Sequence, residues 1–227
     1  MKYKWLMFDA DGTLFDYDKA EITALRRSFE DIDRPFDPDT LATYRRINAK
    51  LWQDFEAGRI AQDRLKVKRF ERLLESLGIE ADAARFSLGY LRHLSNCPDL
   101  LDGAEDVVRC LAGSVRMILI TNGLKEVQRP RIGMSAINDF FVDLVISEEV
   151  GSAKPHAGIF DEAFARMGNP RKADVLIVGD SLSSDIKGGN DYGIDTCWYN
   201  PDKRPRDPAV ECRHEIVHLN ELPGLVK

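Results

Sequence analysis

A succession of short, largely apolar runs, each stopped abruptly by a polar residue and each separated from the next by an amphipathic segment, constrains this chain more than any other feature. Trp5-Leu6-Met7-Phe8 stops at Asp9, Val115 to Ile120 at Thr121, Leu144 to Ile146 at Ser147, and Val175 to Val178 at Gly179-Asp180. Continuous rather than alternating apolar character belongs to strands covered on both faces, as in a parallel sheet. Helical spacing fills the gaps over 104–112, 124–133, 158–167 and 183–192, with further strands near Thr196 to Tyr199 and Glu215 to Val217. Strand and helix in strict alternation, with short connections, predict an α/β doubly wound parallel-sheet core, Rossmann-like, with right-handed crossovers.

The alternation is broken once. From about Tyr17 to Cys97 the pattern is helical only. Ile22, Leu25, Phe29 and Ile32 mark a first helix. Asp37-Pro38 opens a second, with Leu41, Tyr44, Ile47, Leu51 and Phe55 on its apolar face. A third carries Leu65, Phe70, Leu73, Leu74 and Leu77 up to Gly78, and a fourth carries Phe86, Tyr90, Leu91 and Leu94, ending before Pro98. Residues 17–97 are therefore expected to be an all-helical insertion after strand one, with 1–16 and 98–227 forming the core. From Phe15 to Cys97 there are 15 Lys+Arg against 15 Asp+Glu, so the net charge of -6 belongs wholly to the core.

An acidic core argues against a nucleic-acid polymer as partner, while leaving room for a small anion held locally. No stretch approaches the roughly 18 uncharged apolar residues of a membrane span. The apolar start stops at Asp9, short of a signal-peptide core, and the four cysteines show no Cys-x-x-Cys, so a reducing cytoplasm is the expected location.

In open parallel sheets ligands bind at the carboxyl ends of the strands. There the sequence places Asp9-Ala10-Asp11, Thr121-Asn122-Gly123, Ala153-Lys154-Pro155 and Gly179-Asp180 with Asp185. Carboxylates converging at one edge repel unless a hard cation with oxygen ligands intervenes, and Mg2+ is the natural choice. Asp9 and Asp180 are the expected direct ligands, joined by the Asp11 carbonyl. A carboxylate such as Asp9 can attack a phosphoryl group to give an aspartyl-phosphate. Asp11, two residues on, can protonate the leaving oxygen and later deprotonate water. Thr121, Asn122 and the helix that follows offer a hydroxyl and amides to a phosphate, and Lys154 a fixed positive charge. Asp185 stands behind, orienting Lys154 or a metal-bound water.

These four segments, in this order, resemble the motifs of the haloacid dehalogenase superfamily: Asp9-x-Asp11-Gly12-Thr13, the run ending Thr121-Asn122-Gly123, Lys154-Pro155, and Gly179-Asp180-x4-Asp185. A helical insertion directly after the first motif is similar to that superfamily's C1 cap. Leu14-Phe15-Asp16, Leu51-Trp52, Ile146 to Gly151, Gly188-Gly189-Asn190 and Thr196-Cys197-Trp198 resemble the YjjG-type branch of pyrimidine nucleoside 5'-monophosphatases. The resemblance implies Mg2+-dependent hydrolysis of a small phosphorylated metabolite, with nucleoside monophosphates as the substrate class. A sugar-phosphate phosphatase or a phosphomutase shares the motifs. A receiver-like phospho-aspartate switch shares the acid cluster but needs neither the +2 acid nor a cap. Pro130 departs from the branch and bears on the helix after the second motif, hence on the support of Asn122.

Four further features have two readings each. Phe15 can belong to a flap at the cap hinge or to an ordinary helix start, and Trp52 to a base-stacking pocket or to the bundle core. Arg64, Lys66, Lys68, Arg69 and Arg72 interleave with Asp63, Glu71 and Glu75, which favours a solvated face over a nucleic-acid patch. Cys212, His214 and His218 have zinc-like spacing without an evident fourth ligand.

Overall fold

The structure is a computed structural model describing residues 2–226. Its sheet is built around the first strand of the chain. β1 (Trp5–Phe8) pairs with β2 (Arg116–Thr121) on one side and β4 (Val175–Gly179) on the other, and Phe8 lies level with both Leu119 and Val178. β3 (Phe141–Ile146), β5 (Asp195–Tyr199) and β6 (His214–Ile216) complete an all-parallel sheet of order β3-β2-β1-β4-β5-β6. This is the doubly wound core expected from the alternation. The order reverses beside β1, so a crevice opens at the carboxyl ends of β1 and β4.

Side chains alternate across β1, sending Leu6 and Phe8 into one apolar layer and Trp5 and Met7 into the other. α5 (Ala104–Leu111) and α10 (Leu222–Val226) cover the first, and α8 (Ala157–Arg166) covers the second through Ile159, Phe160, Ala163 and Phe164. β3 begins at Phe141, earlier than its apolar run suggests. It is an edge strand, so Val142 and Asp143 tolerate water while only Val145 and Ile146 are fully buried. The expected helix over 183–192 is a π-helical turn, Leu182–Ile186, followed by α9 (Lys187–Tyr192). α6 (Lys125–Gly133) continues through Pro130, and a single turn, α7 (Ser147–Val150), follows β3.

Between β1 and α5 stand α1 (Tyr17–Glu30), α2 (Pro38–Glu56), α3 (Gln62–Ser76) and α4 (Ala83–Ser95). Asp16, Asp37 and Asp82 cap three of them by accepting first-turn N–H groups, Asp37 from Thr40 at 2.8 Å just ahead of Pro38. Their apolar faces close on each other, with Tyr44 stacked on Phe70 at 5.7 Å and Phe86 against both Phe29 and Phe70. Leu124 and Val127 from the start of α6 join this cluster, which seats the helical segment beside the carboxyl end of β2.

The solvated-face reading of the basic run fails at Arg69, which is 2% exposed. It falls four residues after Leu65 and four before Leu73 on the buried stripe of α3, and its guanidinium lies 4.9 Å from the ring centroids of both Phe70 and Tyr90. Lys66 also turns inward, bridging Glu126 at 3.2 Å and Glu148 at 2.7 Å, whereas Arg64 pairs outward with Glu71. No described helix is long and apolar enough to cross a membrane.

Candidate active site

β1 ends in Asp9, whose main-chain N–H donates to Val178 O at 2.9 Å and thereby ties the first motif to β4. Both carboxylate oxygens are engaged: Oδ1 accepts from Lys154 Nζ at 2.6 Å and Oδ2 from Thr13 Oγ1 at 3.1 Å. Lys154 is fully buried and also meets Asp185 at 2.7 Å and the Ile120 carbonyl at 2.9 Å. Burial alone lowers the pKa of an ammonium, but Asp185 and Asp9 outweigh it and hold Lys154 above its ordinary value.

The π-helical turn carries Asp185 inward, where its Oδ2 accepts the Ser181 N–H at 3.1 Å. Close approach here requires glycine. A Cβ on Gly179 would stand 2.3 Å from the Asp185 carboxyl carbon, and one on Gly12, whose φ is +80°, would stand 3.1 Å from Asp180 Oδ2. Asp9, Asp180 and Asp185 each offer an oxygen within 4.8 Å of the others, the one such gathering of ligand-type side chains among the described residues. Burial, then Asp9 and Asp185, push the Asp180 carboxyl up to about 8, and burial pushes Asp185 up to about 6 against the pull of Lys154. Three carboxylates facing one ammonium leave uncompensated negative charge, and the donors are all oxygen. That set fits a hard divalent cation such as Mg2+.

Asp11 stands apart from this triad. Its carboxylate turns toward α6, where Gln128 Nε2 donates to it at 2.5 Å and the fully buried Arg131 forms an ion pair with it. Burial lowers the Arg131 pKa to about 10, and its guanidinium lies 4.9 Å from the Phe15 ring centroid. The Asp11 carboxylate is thus not one of the three that gather at the strand ends. Phe15 itself is a correction: it is fully buried in the apolar layer with Leu6 and Phe8, away from any open surface.

Asn122 and Lys154 clasp the second and third motifs together. Asn122 Nδ2 donates to Lys154 O and Lys154 N donates to Asn122 Oδ1, each at 2.8 Å. Pro130 thus leaves the support of Asn122 untouched. At the start of α6 two amides are already taken, Lys125 N donating to Glu148 Oε2 at 2.8 Å and Gly123 N to Thr121 Oγ1 at 3.0 Å. The Thr121 hydroxyl, which accepts from Gly123 and from Gln128, retains its own proton to donate.

The motif side chains open onto one cavity of about 1010 Å3, lined by Asp9, Asp11, Thr121, Asn122, Lys154, Asp180 and Asp185 from the core. Asn48, Trp52 and Glu56 of α2 and Tyr17 of α1 form the facing wall. Trp52 is half-buried there, edge-on to Phe55 at 5.6 Å, while Tyr44 belongs to the bundle core. Arg204, on the segment between β5 and β6 that reads as a linker, also lines the cavity and donates to Asp180 O at 2.7 Å. Cys212, His214 and His218 are not brought together: Cys212 Sγ donates to the His214 carbonyl and the His214 ring meets Tyr3 Oη at 3.1 Å.

Sequence reasoning missed Gln128, Arg131 and Arg204. All three are polar residues on segments whose local pattern gives no hint of the fold partner, although the position of α6 directly after the second motif could have drawn attention to its inward face.

A profile of the haloacid dehalogenase-like hydrolases matches residues 3–193. YfnB of Bacillus subtilis (strain 168), classed as an HAD-hydrolase, is 40% identical over 97% of this chain and 94% of its own. A crystal structure of YfnB bound to magnesium, described as revealing interdomain movement, superposes with a TM-score of 0.95 over all of both chains at 39% identity. The pyrimidine 5'-nucleotidase YjjG of Escherichia coli (strain K12) is 36% identical over 100% of this chain and 99% of its own. The pyrimidine 5'-nucleotidase PynA of Streptococcus pneumoniae is 32% identical over 98% and 94%.

Proposed function

The chain belongs to the haloacid dehalogenase-like hydrolase family, and within it we propose a Mg2+-dependent phosphatase that hydrolyses pyrimidine nucleoside 5'-monophosphates through a phosphorylated Asp9. The observation that carries the chemistry is the meeting of Asp9, Asp180, Asp185 and Lys154 in one cavity with Asp11 and Thr121. The substrate class is supported by full-length similarity to two proteins named pyrimidine 5'-nucleotidases.

Asp9, Asp180 and the Asp11 carbonyl hold the cation. When bound, it supplies positive charge that offsets repulsion between the carboxylates and the incoming phosphate. Asp9 attacks phosphorus; the new oxygen–phosphorus bond forms as the ester oxygen departs. Thr121 Oγ1 and the Asn122 main chain hold the transferring phosphoryl group, and Lys154 keeps a fixed positive charge against Asp9. Asp11 gives a proton to the departing ester oxygen, which leaves as the nucleoside hydroxyl. It then takes a proton from the water that attacks the phosphorylated Asp9, which frees Asp9 as a carboxylate with release of phosphate and returns Asp11 to its protonated form. Gln128 and Arg131 set where the Asp11 carboxylate stands between these events. Asp185 holds Lys154 and the Ser181 loop in place. Residues 17–97 act as a cap that supplies the opposite wall of the cavity and excludes water.

Phosphate release from purified protein tests the reading, over uridine, thymidine, cytidine, adenosine and guanosine 5'-monophosphates and hexose phosphates, with Mg2+ and with excess chelator. Turnover is expected to favour the pyrimidines and to vanish with chelator. A hexose phosphate turned over faster than every nucleotide refutes the substrate assignment, and full turnover in chelator refutes the metal requirement.

A further inference from the structure

Arg69 raises a question that the hydrolytic machinery does not answer. A fully buried guanidinium is expensive unless a carboxylate or several acceptors satisfy it. Arg69 has only neutral partners: Nη1 donates to Tyr44 Oη at 3.2 Å and to Asn48 Oδ1 at 3.4 Å, while Nε and Nη2 are buried without a partner. Glu21, the carboxylate nearest in charge, is taken by Arg45 at 2.7 Å.

Asn48 is where this cation reaches the cavity. It is 7% exposed, and it lines the cavity that holds Asp9. A guanidinium has donors only, so the amide must turn its oxygen to Arg69. Its Nδ2 then faces away, and it finds no acceptor among the described residues. The positive charge behind the oxygen polarises the amide and makes its N–H groups better donors, so the group it seeks is an acceptor. One helical turn on stands Trp52, and one turn beyond that Glu56, whose Oε2 accepts the Ser183 hydroxyl at 3.0 Å. The α2 wall therefore runs from a contact with the fourth-motif loop, past an aromatic face, to a polarised amide donor.

We propose that Asn48 is a specificity residue whose Nδ2 donates to a ring carbonyl oxygen of an oxopyrimidine lying against Trp52, and that Arg69 is the positioning residue fixing this amide. The inference rests on the nucleotidase reading above and adds to it the residue that recognises the base. An amide held with its oxygen inward cannot accept, so it distinguishes a ring carbonyl from an amino group at the same place.

The test compares kcat/KM for uridine 5'-monophosphate, cytidine 5'-monophosphate, ribose 5-phosphate and p-nitrophenyl phosphate in the wild type and in Asn48→Ala, Asn48→Asp, Arg69→Met and Arg69→Lys. The ratio of the uridine nucleotide to the aryl phosphate should fall about tenfold in Asn48→Ala, the size expected for one lost hydrogen bond. It should fall further in Asn48→Asp, whose carboxylate is drawn to Arg69 and has no N–H to offer. Arg69→Met should lower the same ratio mainly through KM, and Arg69→Lys, which keeps a donor for the amide oxygen, should restore part of it. Losses confined to uridine place the contact at the 4-oxo group, and equal losses on cytidine place it at the 2-oxo group; either outcome supports the proposal. An unchanged ratio in Asn48→Ala overturns it, as does an equal loss on ribose 5-phosphate, which would put the contact on the sugar. If Arg69→Met fails to fold, the two Asn48 variants still decide. A wild type that prefers ribose 5-phosphate to every nucleotide shows instead that the nucleotidase reading has failed, before any variant is made.

Discussion

Replacing Lys154 by methionine removes the one ammonium that stands among Asp9, Asp180 and Asp185 while keeping most of the side-chain volume. Contacts of 2.6 and 2.7 Å correspond to attractions of about 6 kcal/mol each at an effective dielectric near 20, much of it offset by the cost of burying the ammonium. Deleting one partner of a buried ionic cluster typically costs about 3–5 kcal/mol, because the groups left behind keep their desolvation and lose their counter-charge. For a chain of 227 residues, at about 2–4 °C per kcal/mol, the melting temperature in chelator at pH 8 should drop by roughly 10 °C. The loss must shrink at pH 5, where Asp180 and Asp185, already raised to about 8 and about 6, take up protons and need no counter-charge. Differential scanning calorimetry of the metal-free proteins at the two pH values measures both effects. An equal drop at pH 5 and pH 8 would mean that Lys154 contributes packing rather than charge, and the electrostatic account would be wrong.

Two further outcomes follow from the same cluster. In the metal-free wild type, Asp180 and Asp185 bind protons more tightly folded than unfolded, so stability should fall as pH climbs from about 4, first through the titration of Asp185 at about 6 and then through that of Asp180 at about 8. Asp180→Asn should flatten the upper part of that decline, and a melting temperature that rises from pH 6 to pH 8.5 in the wild type would contradict it. Gly179→Ala places a methyl 2.3 Å from the Asp185 carboxyl inside a packed strand end; it should destabilise by about 1–3 kcal/mol and weaken Mg2+ binding in calorimetric titrations. Unaltered Mg2+ affinity in that variant would show that Asp185 can move without consequence.

The groups that sequence reasoning reached are those whose position is dictated locally. Asp9 and Asp180 each follow a short apolar strand, and a parallel sheet brings strand ends to one edge whatever the helices do. Asp37 announces α2 because its carboxylate needs only the next turn of chain. Arg69 and Arg131 were out of reach for the opposite reason. A charge at helical spacing looks the same on a wet face and a buried one, and the partners that hold these two, Tyr44 and Asn48 in one case and Asp11 in the other, lie 21 to 120 residues away in the chain. Phe15 was misplaced because an aromatic next to a motif carries no local sign of which side of the strand end it will pack on.

The central place of β1 has a consequence for how the protein is made. Both strands that flank it, β2 and β4, are encoded far downstream, so Trp5-Leu6-Met7-Phe8 leaves the ribosome with nothing to pair with. At about 5–20 residues per second, roughly 5–20 s pass before Arg116 to Thr121 have been synthesised, and several seconds more before β4. During that interval the four-helix segment can form from local contacts, while an apolar tetrapeptide with both edges open trails from it. A nascent chain stalled ahead of β2 thus presents a sticky strand on a structured bundle, a natural target for chaperone capture.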